Sequence, residues 1–168
     1  MAEFKKAQAI VGINEGGYQD DTRDSGNWYK GILIGTNWGI SAPVLAAYLG
    51  RTPTKTDMQN LSKVTAEDIL RLNFWKKNNL DRLDNQSVAT LIYDGVVNHG
   101  TNGMRFLMEK AIKSLGGSFN YYEIFTLKGI KYLNRLNQRK LFDAIKRARI
   151  VKYKSCLLYT SPSPRDDR

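Results

Sequence analysis

Asn85-Gln86-Ser87-Val88-Ala89-Thr90-Leu91-Ile92-Tyr93-Asp94-Gly95-Val96-Val97-Asn98-His99-Gly100 is the stretch on which the fold turns. Asn85 is a helix-capping residue type, Val88, Leu91, Ile92 and Val96 recur at helical spacing, and Gly100 supplies a stop. The reading is a buried central helix. Downstream, Met104, Leu107, Met108, Ala111, Ile112 and Leu115 continue the same period into a second helix that ends at Gly116-Gly117. Asn120-Tyr121-Tyr122-Glu123 has a capping-box pattern and predicts a helix through Ile124, Leu127 and Ile130. A last helix is expected from Asn137 through Leu141, Phe142, Ile145 and Ala148 towards Tyr153, with its basic residues mostly on the outer face. Upstream, Thr65-Ala66-Glu67-Asp68 reads as a cap with acid in the first turn of a helix reaching Lys77. Arg51 to Ser62 reads as a connector, and Ser41 with Pro43 opens a short helix towards Gly50. Phe4, Ala7, Ile10 and Val11 form a first helix, expected to stop at Glu15 with Gly16-Gly17 as its left-handed cap. Between these lies a Gly-rich stretch, 16–41, in which Tyr29 to Gly35 suggests a short strand pair. The fold class is therefore all-α, about seven helices with one Gly-rich loop or small β-hairpin after the first.

The chain has 168 residues, 42% of them hydrophobic and 25% charged, which suits a single globular domain and excludes disordered, collagenous and coiled-coil classes. No apolar run approaches the roughly 20 residues of a membrane span, and no signal-peptide pattern follows Met1, so synthesis in the cytoplasm without a leader is expected. One cysteine and one histidine supply neither an internal disulfide nor an ordinary zinc site. Chemistry must come from carboxylates, hydroxyls, amides or backbone. Of the net charge of +10, residues 128–154 carry +9, with ten basic residues against Asp143 alone. Such a segment suits a polyanion, whether nucleic acid, an anionic membrane surface or an anionic wall polymer, or is a solvated helix face with no partner. Cys156 to Asp166 resembles one reading frame of a transposase-type adapter used in sequencing libraries, so residues 156–168 are expected to be an artefact tail that cuts the genuine protein short near Ser155.

The chemical content is concentrated in Glu15-Gly16-Gly17-Tyr18, in Asp20, Asp21 and Asp24-Ser25-Gly26, and in Thr36-Asn37-Trp38-Gly39-Ile40-Ser41. A carboxylate on a last helical turn faces unpaired carbonyls, which raise its pKa as a general acid requires; that is the expected setting of Glu15. Eight residues separate Asp24 from Glu15, and Asp24 can return to the same cleft through the double glycine, giving the pair of carboxyl groups that glycoside cleavage needs. Thr36 can aim a water. By base rate the aspartates are also turn formers, and the ligand order of a calcium loop is absent. Tyr18, Trp28, Tyr29 and Trp38 could stack on sugars or serve as core. Asp94 and Asn98, four apart on one helix face, could line a cleft or bond backbone.

Taken together, Glu15-Gly16-Gly17-Tyr18, the Asp-containing loop, Thr36-Asn37-Trp38-Gly39-Ile40-Ser41, Asn73-Phe74-Trp75 and Ile92 to Gly100 resemble the N-acetylmuramidases of glycoside hydrolase family 108, from about Phe4 to Leu115. These are lysozyme-like murein hydrolases of phage and bacterial origin, often described as secretion activators. The resemblance implies a lysozyme-like helical fold over residues 1–116, followed by a basic helical segment, 117–155, packed on the same domain. It implies Glu15 as catalytic acid, and its similarity to phage-type lysozymes implies Asp24 and Thr36 as the other catalytic residues. Tyr18, Asn37, Trp38, Asp94 and Asn98 are the candidate substrate-binding residues. The Asp-Gly-x-x-Gly-Pro-type turn of the family's wall-binding segment is not found after Gly116-Gly117. His99 stands where related sequences often have a small residue, and a structural role at the Gly100 helix end is expected for it.

The expected function is cleavage of the peptidoglycan glycan strand between N-acetylmuramic acid and N-acetylglucosamine, by a monomer, without cofactor or metal. Holin-type or other export would bring it to the wall. The alternative is a non-catalytic lysozyme-fold protein that binds peptidoglycan or assists secretion. The recognised motifs all lie outside the basic segment, and no specific nucleic-acid partner is expected.

Overall fold

The computed structural model describes residues 1–12 and 16–160, the side chains of 156–160 not among them. Glu15, the expected acid, and the last eight residues of the suspected tail therefore lie outside the described residues. The described residues form seven α-helices and one two-stranded antiparallel sheet, as an all-α, lysozyme-like reading requires. They divide into two compact units, Phe4–Asn78 and a second made of Met1–Glu3 with the residues from Asn79 on.

In the first unit α1 spans Phe4–Val11 and ends earlier than the sequence suggested. Gly12 takes the left-handed conformation, φ 70°, with its N–H donating to the Gln8 carbonyl at 2.8 Å. The cap expected of Gly16-Gly17 is thus supplied by Gly12, where a residue without Cβ enters that conformation at little cost. Strands β1 (Trp28–Tyr29) and β2 (Ile32–Leu33) pair Tyr29 with Ile32 across the two-residue turn Lys30-Gly31. Both turn residues have positive φ, 48° and 77°, the mirror-image turn whose twist matches a hairpin. Helix α2 (Ala42–Leu49) follows Ser41 and carries Pro43 in its first turn, as read. The expected connector instead contains α3 (Lys55–Gln59), held by a full capping box: the Asp57 N–H donates to Thr54 Oγ1 at 3.0 Å and the Thr54 N–H to Asp57 Oδ2 at 2.7 Å. Helix α4 (Lys63–Leu70) is capped by Ser62, three residues before the expected Thr65, because Ser62 Oγ accepts the Thr65 N–H. It passes into a π-helical turn, Arg71–Lys76, that buries Trp75 edge-on to Phe4 at 5.9 Å. Ile34, Ile40, Leu45, Met58 and Ile69 are among the other buried apolar residues of this unit.

The second unit is organised on α5 (Gln86–Ser114), whose Asn85 side chain accepts the Val88 N–H at 3.0 Å. The two helices read from the sequence are the two halves of this element. Gly100, φ 70° and ψ 167°, breaks the helical geometry between them. The capping box expected at Asn120 is not formed: the Asn120 side chain accepts the Tyr122 N–H at 2.9 Å and caps only a single 3-10 turn, Tyr121–Glu123. Thr126, whose hydroxyl donates to the Glu123 carbonyl at 2.7 Å and accepts the Gly129 N–H, opens α6 (Leu127–Arg135) instead. Helix α7 (Gln138–Thr160) packs along α5. Leu141, Ala144 and Ile145 of α7 are buried, as are Ile92, Val96, Leu107 and Met108 of α5; each large aliphatic contributes roughly 1.5–3 kcal/mol through burial. The chain start is stitched to this unit: the Ala2 N–H donates to the Leu83 carbonyl at 2.7 Å, and Glu3 N–H to Gln86 Oε1 at 2.7 Å.

Candidate active site

Around the hairpin, Gln19 and Thr36 exchange backbone hydrogen bonds of 2.9 and 2.8 Å, which fold the aspartate loop back on the hairpin's exit. Asn27 is fully buried at the centre of this fold-back. Its Nδ2 donates to Gln19 Oε1 at 2.7 Å and to the Asp21 carbonyl at 2.9 Å. Its Oδ1 accepts from Thr36 Oγ1 at 2.6 Å and from Gln19 Nε2 at 3.1 Å. The same Gln19 Nε2 donates to Asp24 Oδ2 at 3.1 Å, while Asp24 Oδ1 accepts the Gly26 N–H at 2.9 Å and caps the 3-10 turn Ser25–Asn27. Asp24 and Thr36 are thus brought together through one amide network, Asp24–Gln19–Asn27–Thr36. Thr36 spends its proton on Asn27, so its oxygen faces any further partner as an acceptor. Each Asp24 oxygen holds one donor and, when ionised, retains capacity for another. A water bonded by both would be aimed by groups that cannot rotate freely.

Asp20 and Asp21 have other partners. Asp20 accepts from Lys55 at 2.7 Å, and that hydrogen bond holds its carboxyl below the usual range. Asp21 pairs with Arg23 at 2.7 Å. Tyr18 donates to the Ile34 carbonyl at 3.1 Å, and burial, with Asp20 next, pushes its hydroxyl up. The segment after Thr36 is pinned to backbone. Asn37 is buried and donates to the Met58 carbonyl at 2.9 Å; Trp38 Nε1 donates to the Leu61 carbonyl at 2.8 Å. Trp38 has φ 52°, a region that a bulky aromatic occupies at a cost, here held by these two bonds. Trp38 is half-buried, and its one side-chain donor is spent on backbone.

Asp94 and Asn98 belong to the other compact unit, and there they bond each other: Asn98 Nδ2 donates to the Asp94 carbonyl at 2.8 Å and to Asp94 Oδ1 at 3.0 Å. Asp94 Oδ2 accepts from Arg149 of α7, which also donates to the Leu91 carbonyl at 3.3 Å. Arg149 is buried, the exception on a helix whose basic residues mostly face outward as expected. Its guanidinium is withdrawn to neutralise Asp94 at the helix–helix seam, because an unpaired carboxylate there would be costly.

His99 lies beside this pair, its ring 5.4 Å from that of Tyr153 and its Nε2 buried without a hydrogen-bond partner. Burial first, then Lys152 and Arg149, lower its pKa, with Asp94 opposing. The folded chain therefore resists a proton that the unfolded chain accepts near the ordinary 6.5. Its contribution to stability is complete above that pH and is lost as pH falls through the depressed folded value. Thermal midpoints measured from pH 7 to pH 5 should fall, and His99→Phe should flatten that fall; parallel curves would refute this assignment.

Three residues that carry these arrangements, Gln19, Asn27 and Arg149, were not singled out by the sequence. The first two are neutral amides in a loop rich in turn formers, and the third sits within a charge run, so residue type alone gave no signal for any of them.

No curated protein matches the chain. Among solved structures, SagA from Brucella abortus is similar, with a TM-score of 0.71 and 26% identity over 90% of this chain and 79% of that one. Residues 8–100 match the family described as Glycosyl hydrolase 108, a span that begins in α1, takes in Glu15, the Asp24–Thr36 network and the Asp94–Asn98 pair, and ends on the Gly100 break. With more than half of its length so matched, the chain belongs to glycosyl hydrolase family 108.

Proposed function

We propose that the protein is an N-acetylmuramidase that cleaves the glycan strand of peptidoglycan, with Glu15 as the general acid. The observation that carries this reading is the family match over residues 8–100, which includes the Glu15-Gly16-Gly17-Tyr18 motif. Glycoside cleavage needs a proton for the leaving oxygen and, on the opposite face of the sugar ring, a carboxylate to hold water or attack. Glu15 supplies the first. Asp24 serves as the second carboxylate and Thr36 as the acceptor that aims the water, a division of labour supported by their shared hydrogen-bond network through Gln19 and Asn27. Tyr18 and Trp38 offer ring faces to the sugars, and Asn37 fixes the loop that carries Trp38. Action on the wall requires release from the cytoplasm by a holin-type lesion or another export route.

The test is digestion of purified sacculi followed by borohydride reduction of the soluble products. Muramitol at the new ends is the expected result. Glucosaminitol would assign the cut to the other glycosidic bond. Sedimentation of the protein with sacculi and no new reducing ends would make it a glycan-binding member of the family and end the catalytic reading.

A further inference from the structure

Helix α7 has an outer face that the proposed chemistry does not use. Of its basic residues, Arg149 is committed to Asp94 and Arg139 to Asp143 at 3.3 Å. Lys140, Lys146, Arg147 and Lys154 are exposed and have no carboxylate partner among the described residues. On the neighbouring α6, Lys131 and Arg135 are exposed in the same condition. Within this cationic field lie two branched aliphatics, Ile150 at 48% and Val151 at 61% exposure. Positions 146, 147, 150, 151 and 154 follow one another at helical spacing, so cations and aliphatics share one side of the helix while Leu141, Ala144, Ile145 and Arg149 occupy the buried side.

We propose that this face of α7 is a docking surface for an anionic lipid bilayer. A hydrated polyanion such as a wall polymer or nucleic acid would satisfy the cations but give Ile150 and Val151 nothing apolar to enter. A bilayer interface takes both, phosphate headgroups against Lys146, Arg147 and Lys154, and the acyl boundary against the aliphatics. Docking is peripheral, since no helix among the described residues is long and apolar enough to cross a membrane. The proposal stands independently of the glycan-cleaving reading, because it uses no residue of the Asp24–Thr36 network.

The experiment is co-sedimentation of the full chain with vesicles of phosphatidylcholine alone, or with about one-third phosphatidylglycerol, at low and high salt. Wild type should partition strongly to the anionic vesicles and weakly to the neutral ones. K146Q/R147Q/K154Q should lower the partition coefficient at low salt by about 100-fold, roughly fivefold for each cation removed. I150S/V151S should remove most of the binding that survives high salt, a drop of about tenfold. Both variants alter exposed positions, and unchanged circular dichroism and thermal midpoint will establish that they are folded. Equal partition to neutral and anionic vesicles would overturn the proposal. So would I150S/V151S binding like wild type, which would leave an unselective polyanion patch, or retention of the wild type on sacculi or DNA without vesicle binding.

Discussion

Glu15→Gln should lower release of glycan fragments from purified sacculi by about 10³-fold or more while leaving the thermal midpoint unchanged. Glutamine preserves the shape of the side chain and its hydrogen-bonding reach, but has no proton to give. An unactivated sugar alkoxide is a poor leaving group, so the transition state for its departure depends on protonation of the glycosidic oxygen. Binding should survive: the variant should still sediment with sacculi, because glycan contacts made by rings and amides do not require the acid. A residual rate above about a tenth of wild type would remove Glu15 from its role. In that case the acid would have to be sought among the aspartates of the following loop.

The second large effect is expected at Asn27. Replacement by alanine strips a fully buried amide that makes four side-chain hydrogen bonds, and leaves the Gln19 amide, the Thr36 hydroxyl and the Asp21 carbonyl short of partners. Leaving buried polar groups unsatisfied, together with the small void, should cost about 3 kcal/mol, read as a lower urea midpoint at constant m-value. Activity should fall further than stability accounts for, since Thr36 and Asp24 lose the network that orients them. Asn27→Asp is the informative companion. It keeps the oxygen that receives the Thr36 proton but sets a second carboxylate oxygen against Gln19 Oε1 and the Asp21 carbonyl, so it should not rescue. A cost below about 1 kcal/mol for the alanine variant would mean that the loop is held by its backbone bridge alone.

How much of this was legible depended on whether a signal had local competitors. Asn85 and Gly100 stand alone as cap and break, and both were read correctly from type and position. At the end of α1 three glycines lay within six residues, and the pattern could not rank Gly12 against the Gly16-Gly17 pair. Ser62 against Thr65, and Asn120 against Thr126, are the same problem: each is a competent capping residue type. A choice worth about 1 kcal/mol is then made by tertiary packing. The missed α3 was in fact signalled by Thr54 and Asp57, but five residues are too few to show a hydrophobic period. At the site, charged and hydroxyl residues could be chosen by chemistry, whereas Gln19 and Asn27 act by geometry that appears only once the loop is closed. The motif carried Glu15; the network that supports its proposed partners did not show in the sequence.

The stitching of Ala2 and Glu3 to Leu83 and Gln86 has a consequence for the order of assembly. Residues 1–3 leave the ribosome before the partners they need, because those partners lie 83 positions downstream in the Glu3–Gln86 pairing, and the same unit's seam, Asp94 with Arg149, joins positions 55 apart. The intervening chain can form α1 to α4 meanwhile, but the residues before Phe4 must wait for α5. The unit then closes by loops whose entropic cost is paid before α7 returns its burial. In the nascent chain, α5 therefore spends the interval between its own emergence and that of α7 with an uncovered apolar side. That exposed side is where a chaperone would bind, and where two partly made chains would meet if none did.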